Sequence, residues 1–279
     1  MPNHIKNRLT ISGDETSIGL MLKEISTTYP AEIDKTYDGR TIYENKNGDY
    51  GWLNNKTGKF ETGKKEIVIG IPDGFAVKIN PEWTRFPDFN KVVEMPESLD
   101  LESNSLVEMA IKNSLQMGFH ENELVRFLEV ANREKSKSPL ELNDKDWNDY
   151  ISGLNNVRKY GFINWYEWSI ENWGTKWNSY SCEKLEDNVF QFETAWSAVP
   201  NLIEKISLRY PTISILYEWS DEDIGSNCGY SHYLNGEIDL IKIKSGSKEA
   251  YEMAFKLHPG YSDSYSFIDG EYVYKEEDL

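Results

Sequence analysis

An α+β fold, with an antiparallel sheet carrying helices on one face, is what the 279-residue sequence predicts. Three observations predict it. The chain opens with an alternating apolar run followed at once by an amphipathic helical stripe. A second block repeats the grammar as strand, strand, helix, strand between 184 and 219. Nine Trp, seventeen Tyr and eleven Phe supply core volume although only 39% of residues are apolar, which excludes a globally disordered chain.

In the first element, Leu9 and Ile11 share one face of a strand over 7–13 by the period of two, and Gly13 ends it. Asp14 is placed to cap a helix over 15–28 whose stripe is Ile18, Leu22 and Ile25, stopped by Tyr29-Pro30. Residues 34–80 read as a hairpin-rich excursion: Asn47-Gly48 and Lys56-Thr57-Gly58-Lys59 are turn signals, and Glu66–Ile71 is strand-like. Pro81, Pro87 and Pro96 forbid a long element over 81–99, where Trp83, Phe86 and Phe89 are expected to pin a loop to the core. Residues 103–160 are expected to form a peripheral helical insertion. Its stripes are Leu106, Met109 and Ala110, then Leu124, Phe127, Leu128 and Ala131, then Trp147, Ile151 and Leu154.

A short aromatic helix follows, with Trp165, Trp168 and Asn172 on one face and Gly174 at its end. Residues 184–188 and 189–196 are two strands. Pro200 begins a helix over 200–210 with Leu202, Ile203 and Ile206 inward. Strands at 213–219, 230–234 and 237–242 follow, the last two joined by the hairpin turn Asn235-Gly236. Lys248–Leu257 is a tail helix, and Asp269-Gly270 turns a final hairpin. The order is that of a split βαβ, ferredoxin-like unit. It assigns 1–102 and 161–279 to one ferredoxin-like core domain and 103–160 to the helical insertion.

The charge narrows the function. Thirty Lys and Arg face forty-seven Asp and Glu, a net charge of −17 that repels phosphate backbones and argues against duplex nucleic acid as a partner. Cys182 and Cys228 stand apart without a ligand spacing, which fits a reducing, cytoplasmic location. No run approaches the roughly 20 apolar residues of a membrane span, and Met1–Lys6 has no apolar core of a signal peptide.

His4, His120, His232 and His258 form no HxH or HExxH pattern, so no metal site is expected. Gly174-Thr175-Lys176 lacks the glycine that a phosphate loop needs five residues earlier, where Ser169 stands. No cofactor is expected. Trp165, Trp168, Trp173, Trp177 and Trp196 form an aromatic signature with only Lys176 as an interleaved cation. The first three are expected to be mostly buried, and core packing is their primary reading. The six acids Glu218, Asp221, Glu222, Asp223, Glu237 and Asp239 occur in a span with no Lys or Arg, and are expected to form an acidic face. Such a face suits a basic protein groove; assembled otherwise, the same carboxylates would hold a divalent metal for hydrolysis.

Several separated segments resemble one family. They are Pro2-Asn3-His4-Ile5-Lys6-Asn7-Arg8-Leu9-Thr10-Ile11-Ser12-Gly13, Phe86-Pro87-Asp88-Phe89-Asn90 through Leu99, Asn164-Trp165-Tyr166-Glu167-Trp168 through Trp173-Gly174-Thr175-Lys176-Trp177, and Phe192-Glu193-Thr194-Ala195-Trp196. Together they are similar to the YubB-type, ferredoxin-like proteins of plasmids and phages. The resemblance implies a ferredoxin-like fold and a mobile-element origin. It implies no iron–sulfur cluster, because two cysteines cannot supply four ligands, and it brings no catalytic residues. The function expected is therefore a non-enzymatic accessory protein of a phage, prophage or plasmid that binds a host protein with a basic surface through the acidic face, inhibiting for instance a defence nuclease or CRISPR effector. The alternatives are a ferredoxin-like nucleic-acid or nucleotide binder and a metal-dependent hydrolase.

Overall fold

The computed structural model describes residues 3–29, 32–33, 42–44, 50–53, 60–62, 79–80, 83–116 and 144–275. The chain divides into two compact units, 1–25 with 86–279, and 26–85. These boundaries differ from those read in the sequence, which kept the excursion within the core domain and set 103–160 apart.

In the larger unit, β1 (His4–Ser12) is followed by α1 (Glu15–Ile25). The smaller unit contains β2 (Thr27–Tyr29), β3 (Glu32–Ile33), β4 (Ile42–Glu44), β5 (Tyr50–Leu53), β6 (Phe60–Thr62), β7 (Ile79–Asn80) and β8 (Trp83–Arg85). Strands β4, β5 and β6 pair antiparallel in sequence order; the turn signals at 47–48 and 56–59 lie outside the described residues. The expected strand at 66–71 lies outside the described residues. Trp83 does not pin the following loop to the core. Its ring stacks on Tyr29 at 4.4 Å within the smaller unit.

The chain re-enters the larger unit through α2 (Phe89–Val92), which Asp88 caps by accepting from the Asn90 N–H. Phe86 and Phe89 are buried there and hold this stretch to the core. Helices α3 (Ser105–Gln116) and α4 (Asp144–Tyr160) join around Val107, Ala110, Ile111, Trp147, Tyr150 and Leu154, with Ile163 beside them. The stripe at 124–131 lies outside the described residues. Then come α5 (Trp165–Trp173), β9 (Tyr180–Glu186), β10 (Val189–Ala195), α6 (Pro200–Arg209) and β11 (Ser214–Asp221). The chain ends with β12 (Gly229–Leu234), β13 (Glu237–Lys242), α7 (Lys248–Leu257), β14 (Tyr265–Ile268) and β15 (Glu271–Tyr274).

The six-stranded sheet runs β13-β12-β11-β1-β10-β9, and every neighbouring pair is antiparallel. Its four strands β11-β1-β10-β9 have the order 4-1-3-2 in chain sequence, which is the ferredoxin-like arrangement. The whole of 26–179 is inserted into a single connection, the one between α1 and β9. β1 alternates so that Ile5, Asn7, Leu9 and Ile11 point into the core shared with α1 and α6. The opposite face carries Arg8 and Glu218, register partners across β1 and β11, and receives α7 through the Lys256–Glu218 ion pair.

One polar thread runs through the apolar core. The Tyr217 hydroxyl donates to Asn7 Oδ1 at 2.6 Å and accepts from the Val199 N–H at 2.8 Å. Asn7 Nδ2 donates to Thr194 Oγ1, whose hydroxyl donates to the Ser197 carbonyl. The thread joins β11, β1 and β10 to the start of α6.

Candidate functional site: an aromatic cluster around Lys176

Asn164 caps α5 by accepting from the Tyr166 N–H, and Gly174 closes it in the left-handed conformation at φ 80°. Trp168 and Trp173 point inward, meet edge to face at 5.3 Å and are buried. The Trp173 indole donates to the Val93 carbonyl at 2.9 Å. These two indoles are core, as the sequence suggested. Trp165 is half-buried.

Trp177 and Trp196 behave differently. They are 37% and 41% exposed, and 18 residues and two strands lie between them in the chain. Two small buried hydroxyls bring them together. Thr175 Oγ1 donates to the Ala195 carbonyl at 2.8 Å and accepts from the Ala195 N–H at 3.1 Å, fastening the loop after α5 to the end of β10. Ser169 Oγ donates to the Lys176 carbonyl at 2.8 Å and fixes the intervening backbone. The Trp196 N–H then bonds to the Asn3 carbonyl, and Trp196 sits at φ 71°. A left-handed conformation at a bulky residue is costly and persists only where its surroundings enforce it.

Lys176 occupies the centre of this arrangement. Its Nζ lies 4.8 Å from the ring centre of Trp177, 4.9 Å from that of Trp196 and 5.5 Å from that of Tyr166. Tyr166 and Trp196 stand nearly perpendicular, at 87°, and form a corner. Among the described residues no carboxylate pairs with Lys176, although Lys112, Lys184, Lys248 and Lys256 each have one and Lys145 has two. The rim continues from Trp177 to Tyr180 and on to His4, whose Nδ1 is 2.6 Å from the Tyr180 hydroxyl. Burial, reinforced by the charges of Glu193 and Glu222, pushes the Tyr180 phenol up, so it stays protonated.

The six acids of 218–239 do not share one face. Glu218 is buried beneath α7 against Lys256. Asp221 is also buried. Its carboxylate accepts from the Asp223 N–H at 3.0 Å and from the Asn3 and Asn227 amides, which ties the following turn. Glu222 and Asp223 are exposed beside it. Glu237 and Asp239 are exposed toward the opposite end of the sheet, at a hollow of about 260 Å³ shared with His232 and Tyr233. The expected acidic face is thus corrected to two exposed pairs and two buried structural carboxylates.

The sequence reading missed Tyr166, Tyr180 and His4 as neighbours of the exposed indoles, and missed Ser169 and Thr175 as the groups that position them. Its one available signal was Lys176, the single cation among the tryptophans. Among the described residues, no three His, Cys, Asp or Glu side chains are grouped as a metal ion would need. Nor is any described helix long and apolar enough to cross a membrane.

Five of the six strands of the sheet, with the loop that carries the cluster, lie in a segment with a recognisable family signature. Residues 172–258 match the family model described as the ferredoxin-like domain in Api92-like protein. That span includes Lys176, Trp177 and Trp196. The match supports a ferredoxin-like family for this part of the chain. Among solved structures, the chain is similar to the crystal structure of a protein api92 from Yersinia pseudotuberculosis. The identity is 10% and the TM-score 0.33, over 88% of this chain and 99% of that one. No curated protein matches the sequence.

Proposed function

We propose that this is a non-enzymatic accessory protein of a mobile genetic element that binds a basic host protein, with the Lys176 aromatic cluster as its point of contact. The observation that carries this reading is the convergence of two exposed indoles, one on strained backbone, around the Lys176 ammonium. Trp and Tyr dominate interface hot spots because they bury much area at little entropic cost. The net charge of −17 favours a basic partner and raises its association rate more than its affinity. The resemblance to YubB-type plasmid and phage proteins supplies the mobile-element setting. A DNA-binding defence nuclease or CRISPR effector is a partner class with a basic groove of the required sign.

The test is quantitative co-purification from bacterial lysate, comparing wild type with Trp177→Ala/Trp196→Ala. A hot-spot indole is worth about 2 kcal/mol or more, roughly 30-fold in affinity. A basic protein held by wild type and lost by the double variant supports the reading. Its retention should also fall as salt rises from about 0.1 to 1 M, since the Debye length shrinks from about 10 to about 3 Å. A partner indifferent to both changes overturns the reading. Single-stranded nucleic acid as the material lost would favour the stacking alternative, and metal-dependent turnover by the purified protein would favour the hydrolase.

A further inference from the structure

We infer that Tyr166, Trp177 and Trp196 form a cation-binding cage whose true ligand is the guanidinium of an arginine side chain on the partner, and that Lys176 is its displaceable internal occupant. The inference rests on the preceding reading for the source of the arginine, but the cage itself stands on geometry.

Three ring faces surround one ammonium within 5.5 Å, inside the range where a cation is attracted to an aromatic quadrupole. Lys176 shows that the cage accepts a positive charge. Lysine is nevertheless a poor permanent tenant. Its ammonium is compact and strongly hydrated, and among the described residues no carboxylate pairs with it to compensate for the water it gives up. Guanidinium is planar and more weakly hydrated, and it stacks on indole faces. The perpendicular corner of Tyr166 and Trp196 offers it one ring to stack on and another to meet at its edge. Glu193 and Glu222, which act on neighbouring Tyr180, add attraction for a cation arriving from solvent. Backbone bonds from Ser169 and Thr175 hold the loop and strand end that carry Lys176, Trp177 and Trp196. The Lys176 side chain can therefore swing out while the backbone beneath the indoles stays in place.

The experiment titrates N-acetyl-arginine amide into the full chain at constant ionic strength and follows the indole N–H resonances. Trp177→Phe and Trp196→Phe assign the two signals. The expected result is a saturable shift of both indoles in wild type. Lys176→Ala, which empties the cage, should bind the probe at least about five-fold more tightly. Lys6→Gln, which removes an equal charge from β1 without opening the cage, should leave affinity within about two-fold. Trp177→Ala/Trp196→Ala should leave the remaining indole N–H resonances unmoved by the probe while keeping a cooperative melt. Equal affinity in wild type and Lys176→Ala overturns the displacement, as does an equal gain in Lys6→Gln. No indole shift in any variant overturns the cage. A partner captured through the tryptophans with no arginine response would defeat this inference alone. An arginine response with no tryptophan-dependent partner would defeat the functional reading alone.

Discussion

Tyr217 shows how one residue couples elements that the sequence lists far apart. Its hydroxyl is fully enclosed and serves Asn7 and the Val199 N–H at once. Burial pushes its phenol well above the ordinary range, so the group acts as a neutral hydrogen-bonding hub. Tyr217→Phe leaves two buried groups without their partner and should cost about 1–3 kcal/mol. Urea unfolding reads this as a lower midpoint at unchanged slope, and an unmoved midpoint would remove the polar thread from the list of stabilising features. Asn7 explains why a polar residue interrupts an apolar strand face: its carboxamide bridges β1 to β10 through Thr194. At the same scale, Glu218 and Asp221 show that charge in a sequence is not exposure. Each acid is held by a partner, Lys256 for one and the 221–227 turn for the other.

At the scale of elements, two glycines make opposite demands. Gly229 on β12 lies opposite Trp219 on β11, and a Cβ there would strike the Trp219 indole and the Ile241 carbonyl. Gly229→Ala should therefore destabilise the β11–β12 pairing by about 1–3 kcal/mol through overpacking. Gly19 lies inside α1 with nothing within 4 Å of the same position. Gly19→Ala should stabilise by about 0.8–1.0 kcal/mol from helix propensity alone. Thermal melts of both variants check the pair, and a stable Gly229→Ala protein would show that the sheet gives way at that point. Element by element, much was legible in advance. The helices at 200–209 and 248–257 and the strands around Asn235-Gly236 follow from local periodicity and turn chemistry. The start of β9 at Tyr180 was not legible, because Tyr180–Glu186 is mostly exposed and lacks apolar alternation. Its pairing with β10, through two register irregularities, is what makes it a strand.

For the whole molecule, the insertion of 26–85 into the α1–β9 connection has a thermodynamic consequence. The Asp88 N–H bonds to the Ile25 carbonyl at 2.8 Å, so the two points where the chain leaves and re-enters the larger unit adjoin. Replacing 26–85 by a short Gly/Ser linker should leave the larger unit folded, since a compact unit with its own core survives removal of a unit inserted between adjoining ends. A cooperative melt and protected sheet amides in the shortened chain are the expected outcome; a non-cooperative melt would mean that the two units fold as one.

The sequence by itself determined the succession of elements, the ferredoxin-like strand order they permit, and the strongly negative charge. These are properties of neighbours in the chain, where a period of two or 3.6 and a turn dipeptide suffice. Only the tertiary structure decided which aromatic residues are core and which are surface. It separated Trp168 and Trp173 from Trp177 and Trp196, drew Lys176 into the ring cage, and buried Glu218 and Asp221 while leaving Glu222 and Asp223 exposed. The physical reason is that burial and side-chain convergence depend on contacts between residues distant in sequence. Two hydroxyls, Ser169 and Thr175, make those contacts here, and no local pattern announces them.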